Sequence, residues 1–266
     1  MFRLKNKALA AVTITALMSL GSATAWADGL ADIRKAGVLK VGVFEDFPPF
    51  SSVGGDMSLK GYDIDVAHAL ADALKVKLDL VGVTGQNRIP YLTGHRVDVL
   101  MSVGKNAERE KVIAFTQAYA PYYIAVIGPK AMAVKEAADL AGKSIAVNRG
   151  TLEDTSLTAA APKSADIRRF DNYSAVIQAF LSGQTQLMVV GNDVGAQVLA
   201  KRTDIAPEQK FQLLSSPDHL AVDKGEPALT TALDDAIGAM SKDGALDKIS
   251  QKWLGKRLDP KDLVDQ

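Results

Sequence analysis

The sequence predicts an α/β protein built as two lobes, and three observations carry that expectation. Short apolar runs alternate with amphipathic stretches, the mark of strands followed by covering helices. A similar half-module occurs twice, YLTGHRVDVL at 91–100 and FLSGQTQLMVV at 180–190. Each is a helix end, a glycine, a polar turn and an apolar strand. The 239 residues after residue 27 are enough for one large domain or two smaller lobes.

At the start, MFRLKNKALAAVTITALMSLGSATAWA has the three parts of a secretory signal. Arg3, Lys5 and Lys7 form the basic region, Ala8 to about Leu20 the apolar region, and Ala25-Trp26-Ala27 a small-x-small cleavage site. The apolar run is shorter than the roughly 20 residues that a membrane span needs. Cleavage after Ala27 is therefore expected. The chain contains no cysteine, so it has no disulfide, thiolate metal site or lipidated cysteine. A freely soluble protein of the periplasm is the simplest expectation. The leader carries three basic and no acidic residues, which leaves 28 Lys and Arg against 31 Asp and Glu. That balance argues against nucleic-acid binding, which needs a basic stripe, and suits a soluble monomer.

The elements follow in order. Val38–Val43 (VLKVGV) is a buried strand by composition. Asp63–Leu74 places Ile64, Ala67, Ala71 and Leu74 at helical spacing. Lys77–Val83 reads as a strand, Arg88–Thr93 as a short helix stopped by Gly94, and Val97–Val103 as the next strand. Residues 102–123 (SVGKNAEREKVIAFTQAYAPYY) leave it through a charged turn and a Tyr/Pro-rich extended stretch. The second half repeats the plan. Ser144–Asn148 is a strand, Leu152–Ala160 a helix, Ile167–Phe170 a strand, Tyr173–Ser182 a helix stopped by Gly183, and Leu187–Val190 a strand. Leu220–Val222 is a further strand, and Pro227–Met240 and Ala245–Trp253 are helices separated by Gly244. These tail elements are expected to pack back on the first lobe, so the chain crosses between lobes twice. The crossings are expected at 119–124 and 215–220, which contain proline and fall between periodic stretches. The first lobe then comprises 28–120 and the return 218–266, and the second lobe 121–217.

Enzyme signatures are poor. His68, His95 and His219 stand alone, no GxSxG elbow occurs, and AGKS at 141–144 lacks the earlier glycine of a phosphate loop. Asp63 and Asp65 lie two apart at a helix start, where capping and the helix dipole account for them. Binding signatures are richer. Ligands of open α/β sheets sit beyond strand C-termini. FEDFPPFSS at 44–52 follows the first strand, where Phe47 and Phe50 could wall a site or simply cover the core. Arg109 follows the strand ending at Val103, and its planar fork suits a carboxylate, with Ser102 and backbone near Gly104 beside it. Alone, it reads better as a surface arginine pairing with Glu108 or Glu110. Thr151 and Leu152 open a helix whose free N–H groups suit an anion, though an ordinary threonine cap is as good locally. Arg88 also follows a strand. One shared cleft explains four such strand ends better than four accidents.

Taken together, VLKVGVFEDFPPF, GYDIDVAHALADAL, QNRIPYLTGHRVDVLMS, the NAER-to-TQAY stretch, LAGKSIAVNRGT and DGALDKISQKWLG resemble the bacterial extracellular solute-binding proteins of family 3. These are receptors of ABC importers for polar amino acids. The resemblance covers essentially the whole chain after the leader. It implies a two-lobe periplasmic-binding fold of type II with two crossing hinge segments, no catalysis, no cofactor and no metal. It implies a small amino acid or derivative as ligand and an inner-membrane permease as partner. It places the ligand carboxylate on Arg109, assisted by Ser102 and Gly104, with Thr151 and Leu152 closing from the other lobe and Phe47 covering the ligand. The expected binding set is Phe47, Phe50, Arg88, Met101, Ser102, Gly104, Arg109, Thr151, Leu152 and Asp193.

Two departures stand out. Gly104 replaces the usual Ser or Thr. The usual ammonium-binding aspartate falls on Gly191, with Asn192 and Asp193 adjacent but out of register. Either Asp193 takes over, or the ligand lacks an ordinary α-ammonium. QNRIP resembles the binders of acidic amino acids, which favours glutamate or aspartate through Arg88. Gly85, often larger in the family, is expected to leave room for a longer ligand. The alternatives are an enzyme on the same scaffold, dehydratase-like, or a sensor acting through a separate membrane partner.

Overall fold

The computed structural model describes residues 29–201 and 206–265, so the expected leader lies outside the described residues. The first part of the chain forms α1 (Gly29–Ala36), β1 (Val38–Val43), β2 (Asp46–Phe47), β3 (Ser51–Val53), β4 (Leu59–Lys60), α2 (Tyr62–Leu74), β5 (Lys77–Gly82), α3 (Arg88–Thr93), β6 (Val99–Val103), α4 (Ala107–Glu110) and β7 (Ile113–Ala120). There follow β8 (Tyr123–Pro129), β9 (Ser144–Asn148), α5 (Leu152–Ala160), β10 (Asp166–Phe170), α6 (Tyr173–Leu181), β11 (Leu187–Gly191), α7 (Asn192–Lys201) and β12 (Pro207–Ser215). The chain then returns through β13 (Asp218–Asp223), α8 (Pro227–Lys242) and α9 (Ala245–Leu254).

Two five-stranded sheets result, ordered β5-β1-β6-β13-β7 and β10-β9-β11-β8-β12. In each, three parallel strands are followed by one antiparallel strand that arrives from the other lobe. β13 comes from the second lobe and pairs antiparallel with β6 and β7. β8 comes from the first and pairs antiparallel with β11 and β12. The links are Pro121-Tyr122 and Ser216-Pro217, which join a strand of one sheet to a strand of the other. The central strands β6 (VLMSV) and β11 (LMVVG) are buried at every residue, as helix-covered parallel sheets require. α8 buries Leu229, Leu233, Ala236, Ile237 and Met240, a helical stripe that packs it over the first sheet.

Several elements escape the sequence pattern. α7 (NDVGAQVLAK) carries Gly195 inside the helix, where a Cβ would lie 3.1 Å from Ile127 Cδ1. The glycine that obscures the helix in sequence is what lets it press onto β8. β12 is an edge strand with two register shifts against β8, so its polarity does not alternate cleanly. A small sheet, β2-β3-β4, follows β1 and supports Phe47.

Candidate functional site

The two lobes meet face to face. Gln86 Nε2 donates to Asp171 Oδ1 at 3.1 Å, and the Ser174 N–H donates to Asp46 Oδ2 at 2.7 Å. The Phe47 and Tyr173 rings stack with centroids 4.5 Å apart, and Phe44 meets Tyr173 edge-on. Between the lobes lies a small cavity. Phe47, Arg88, Ser102 and Gly104 line it from the first lobe, Leu152, Glu153 and Tyr173 from the second, and Tyr122 and Asp218 from the two crossings. It offers ≈ 10 Å³ to the centre of a water-sized sphere, about the room of one water. Anything the size of an amino acid enters only when the lobes part.

The first-lobe wall is built on β6. Ser102 adopts φ 50°, a left-handed conformation uncommon outside glycine. Three neighbours hold it there. Its N–H donates to the Tyr119 hydroxyl at 2.9 Å, its hydroxyl donates to Asp63 Oδ2 at 2.7 Å, and its carbonyl accepts from Arg88 Nη1 at 3.0 Å. The Ser102 hydroxyl expected for a ligand is thus already committed to Asp63. Arg88 is 2 % exposed, its guanidinium lies 5.1 Å from the Phe44 ring centroid, and its Nε has no partner among the described residues.

Asp63, expected to serve the helix dipole, instead turns inward. It is fully buried and also accepts from the Tyr119 hydroxyl at 2.6 Å, while the α2 N-terminus has no side-chain cap. Burial raises its carboxyl to about 6, although the two hydroxyl donors pull it down. A raised carboxyl means that the folded chain binds the proton more tightly than the unfolded one. Stability therefore falls as pH climbs from about 4 to about 6, by about 3 kcal/mol, and is flat above. Asp63→Asn is expected to lack that component. Urea denaturation across this window should show the variant gaining on the wild type as pH rises, and parallel curves would refute a buried charge at Asp63.

The second-lobe wall is built on the start of α5. Thr151 caps the helix, accepting from the Asp154 N–H at 3.4 Å and donating to the Asn148 carbonyl at 2.7 Å. Glu153 points into the cleft, and its Oε1 accepts from the Tyr122 hydroxyl at 2.6 Å and the Tyr173 hydroxyl at 3.0 Å. Burial, and then the Glu153 charge, hold both phenols protonated. Asp218 opens β13, is 2 % exposed, and its Oδ2 has no partner among the described residues. Burial, and then the charges of Asp63 and Glu153, push its carboxyl well above the usual range, against a pull from Arg88.

Of the expected set, Phe47, Arg88, Ser102, Gly104 and Leu152 line the cavity. Arg109 lies behind Gly104, donating from Nη1 to the Gly104 carbonyl at 2.8 Å and from Nη2 across to the Gly150 carbonyl at 3.4 Å. Burial, and then the Arg88 charge, bring its pKa down to about 9, which leaves it cationic at neutral pH. Phe50 is fully buried behind Phe47, and Met101 lies inside β6. Asp193 sits in the first turn of α7, accepts from the Asn192 amide at 2.9 Å, and does not line this cavity. Asn192 in turn accepts from the Tyr123 N–H at 3.1 Å and anchors the first crossing. Tyr122, Glu153, Tyr173 and Asp218 were absent from the expected set. The proline-bearing crossings were the available signal for Tyr122 and Asp218.

Three glycines owe their place to close approach. A Cβ on Gly104 would lie 2.4 Å from Leu152 Cδ2, so the missing hydroxyl makes way for Leu152. A Cβ on Gly191 would lie 2.1 Å from the Tyr122 ring, so that ring fills the place of the absent aspartate. A Cβ on Gly85 would lie 2.3 Å from the Arg149 carbonyl oxygen and 2.9 Å from Thr151 Cγ2. Gly85 therefore makes room for the second lobe, which corrects the expectation of space for a longer ligand.

Comparison with known proteins agrees with this architecture. The family model for bacterial extracellular solute-binding proteins, family 3, matches residues 39–256. The chain is 30% identical over 257 residues to the L-cystine-binding protein TcyJ of Escherichia coli strain K12, covering 95% of this chain and 96% of that one. It is 26% identical over 252 residues to the glutamate/aspartate import solute-binding protein of Salmonella typhimurium, covering 88% and 82%. Among solved structures, the solute receptor for L-cysteine of Neisseria gonorrhoeae superposes with a TM-score of 0.81 at 26% identity, covering 89% of this chain and 99% of that one. The chain belongs to family 3 of the bacterial extracellular solute-binding proteins.

Proposed function

We propose that the protein is the periplasmic receptor of an ABC importer, capturing a polar amino acid or close derivative by hinge closure and delivering it to an inner-membrane permease. One observation carries the reading: both lobes and both crossings place charged or hydrogen-bonding side chains around one small cavity. The relatives' names, for L-cystine and for glutamate and aspartate, support an amino-acid ligand. Within that class an acidic amino acid is favoured by Arg88, whose unpartnered Nε is a buried donor beside the cavity. The leader-like N-terminus supports export.

The test is a thermal-shift screen on chain that has been unfolded and refolded to strip carried-over ligand. The panel holds the amino acids, L-cystine, their amides and N-modified derivatives. A ligand at 100 times its dissociation constant adds about 2.7 kcal/mol, a shift of several degrees for a protein of this size. Glutamate or aspartate among the hits supports the role of Arg88. No shift with any carboxylate overturns the reading. A second reading, an enzyme on the same scaffold, is favoured by the cleft acid Asp218, whose carboxyl burial pushes well above the usual range. Recovery of each bound compound unchanged after prolonged incubation counts against it.

A further inference from the structure

We propose that Asp218, on the second crossing, is the acceptor for a cationic group of the ligand, in place of an acid on the second lobe. The proposal rests on the amino-acid reading of the cleft and adds which residue takes the ammonium.

Three observations lead there. First, Asp218 lines the cavity, is 2 % exposed, and is the carboxylate among the described residues whose buried oxygen lacks a partner. A buried carboxylate oxygen without a donor is unfavourable until a donor arrives. Second, the neighbouring acids are already engaged. Asp63 accepts from Ser102 and Tyr119, Glu153 from Tyr122 and Tyr173, and Asp193 from Asn192 outside the cavity lining. Third, the end of β11 cannot supply an acid. Gly191 stands there, and the Tyr122 ring occupies the space a side chain would need. Tyr122 and Asp218 lie on the two crossing segments and line the same cavity, so a group displaced from Gly191 by the ring meets the second crossing instead.

The charges around Asp218 fit this role. It faces Asp63 on α2, Glu153 on α5 and Asp193 on α7, all acidic, against the cations Arg88 on α3 and Arg109 on α4, which pull towards ionisation. The carboxyl therefore holds a proton more tightly than a free aspartate does. A ligand ammonium beside Oδ2 favours the carboxylate, and any proton displaced leaves to solvent. Capture of a cationic group is then coupled to net proton release from the protein. Affinity rises with pH until Asp218 ionises unaided.

The experiment is calorimetry at neutral pH on refolded protein. The probes are L-glutamate with glutarate and L-cystine with 3,3′-dithiodipropionate, so that each amino acid is matched by its amine-free counterpart. Titrations are repeated in buffers of different ionisation enthalpy to count protons. The wild type is expected to prefer the amino acid of a pair by about 100-fold, with net proton release. Asp218→Asn is expected to lose about 100-fold for the amino acid and no more than about fivefold for its counterpart, with the proton release gone. Asp193→Asn is expected to change either by less than about fivefold. Asp218→Asn that keeps the preference, or Asp193→Asn that loses it, overturns the assignment. If Asp218→Asn fails to fold, the preference and proton count of the wild type decide alone. Binding of only the amine-free acids overturns the role of Asp218 and leaves the carboxylate reading of Arg88 standing. Failure of all four probes to bind the wild type overturns both.

Discussion

Gly85→Leu is expected to abolish tight binding while leaving each lobe folded. The position where a Cβ would begin is 2.3 Å from the Arg149 carbonyl oxygen, a backbone atom that cannot swing aside. The contact is reciprocal. Gly150 has φ +74°, and a Cβ on it would lie 2.9 Å from the Gly85 carbonyl oxygen. Two glycine backbones meet across the cleft, and a leucine on either holds the lobes apart. The bound state then loses its closed partner. Overpacking of this kind costs about 1–3 kcal/mol or more, so affinity should fall by about 5- to 150-fold or more. Small-angle scattering checks the cause. The wild type should contract on binding its panel hit, and Gly85→Leu should not. A variant that contracts and binds normally would show that the lobes do not close through this contact. The melting temperature without ligand should move little, because Gly85 lies outside both sheets.

Arg109→Ala should be comparably severe for a different reason. The guanidinium is buried, satisfies the Gly104 carbonyl and reaches the Gly150 carbonyl in the other lobe. Its removal deletes the cation beside Gly104 and strips the closed form of a lobe-to-lobe hydrogen bond. Hydrogen bonds from a charged group are worth about 1.5–3 kcal/mol, so losing the one made across the lobes should lower affinity by roughly 10- to 100-fold. Arg109→Lys should recover little, since an ammonium lacks the planar fork that reaches both carbonyls. Near-normal affinity in Arg109→Ala, measured by calorimetry, would remove Arg109 from the site.

How far the sequence alone reaches depends on whether a feature is local. The strands VLKVGV, SIAVN and LMVV and the amphipathic run 63–74 announce themselves because buried parallel strands and one-sided helices impose a pattern on neighbours. Arg88, Ser102 and Leu152 could be singled out because strand ends of an α/β sheet converge. Glu153 carries no such mark, and Asp218 has only the proline-bearing crossing beside it. Each is a single acid among other acids, and the paired crossings bring them to one cavity. Asp63 shows the opposite failure. A carboxylate in a first turn has a ready local explanation, and nothing nearby in sequence reveals that Ser102 and Tyr119 draw it inward. The glycines are similar. Gly85, Gly104 and Gly191 read as absences in sequence, whereas in the fold each is a place where something else stands.

The exchanged strands also set an order of assembly. β7 has β13 as its one sheet neighbour, and β6 and β7 are joined only through it. As the chain emerges from its N-terminus, residues 29–120 hold a first sheet with a gap near its middle. The strands of the second sheet all lie between residues 123 and 215. That lobe can complete itself while the first still waits for β13, about 100 residues after β7, and such distant pairings form slowly. A chain stopped at residue 217 should therefore show a protease-resistant second lobe and a digestible first one. The half of the protein made first is the half finished last.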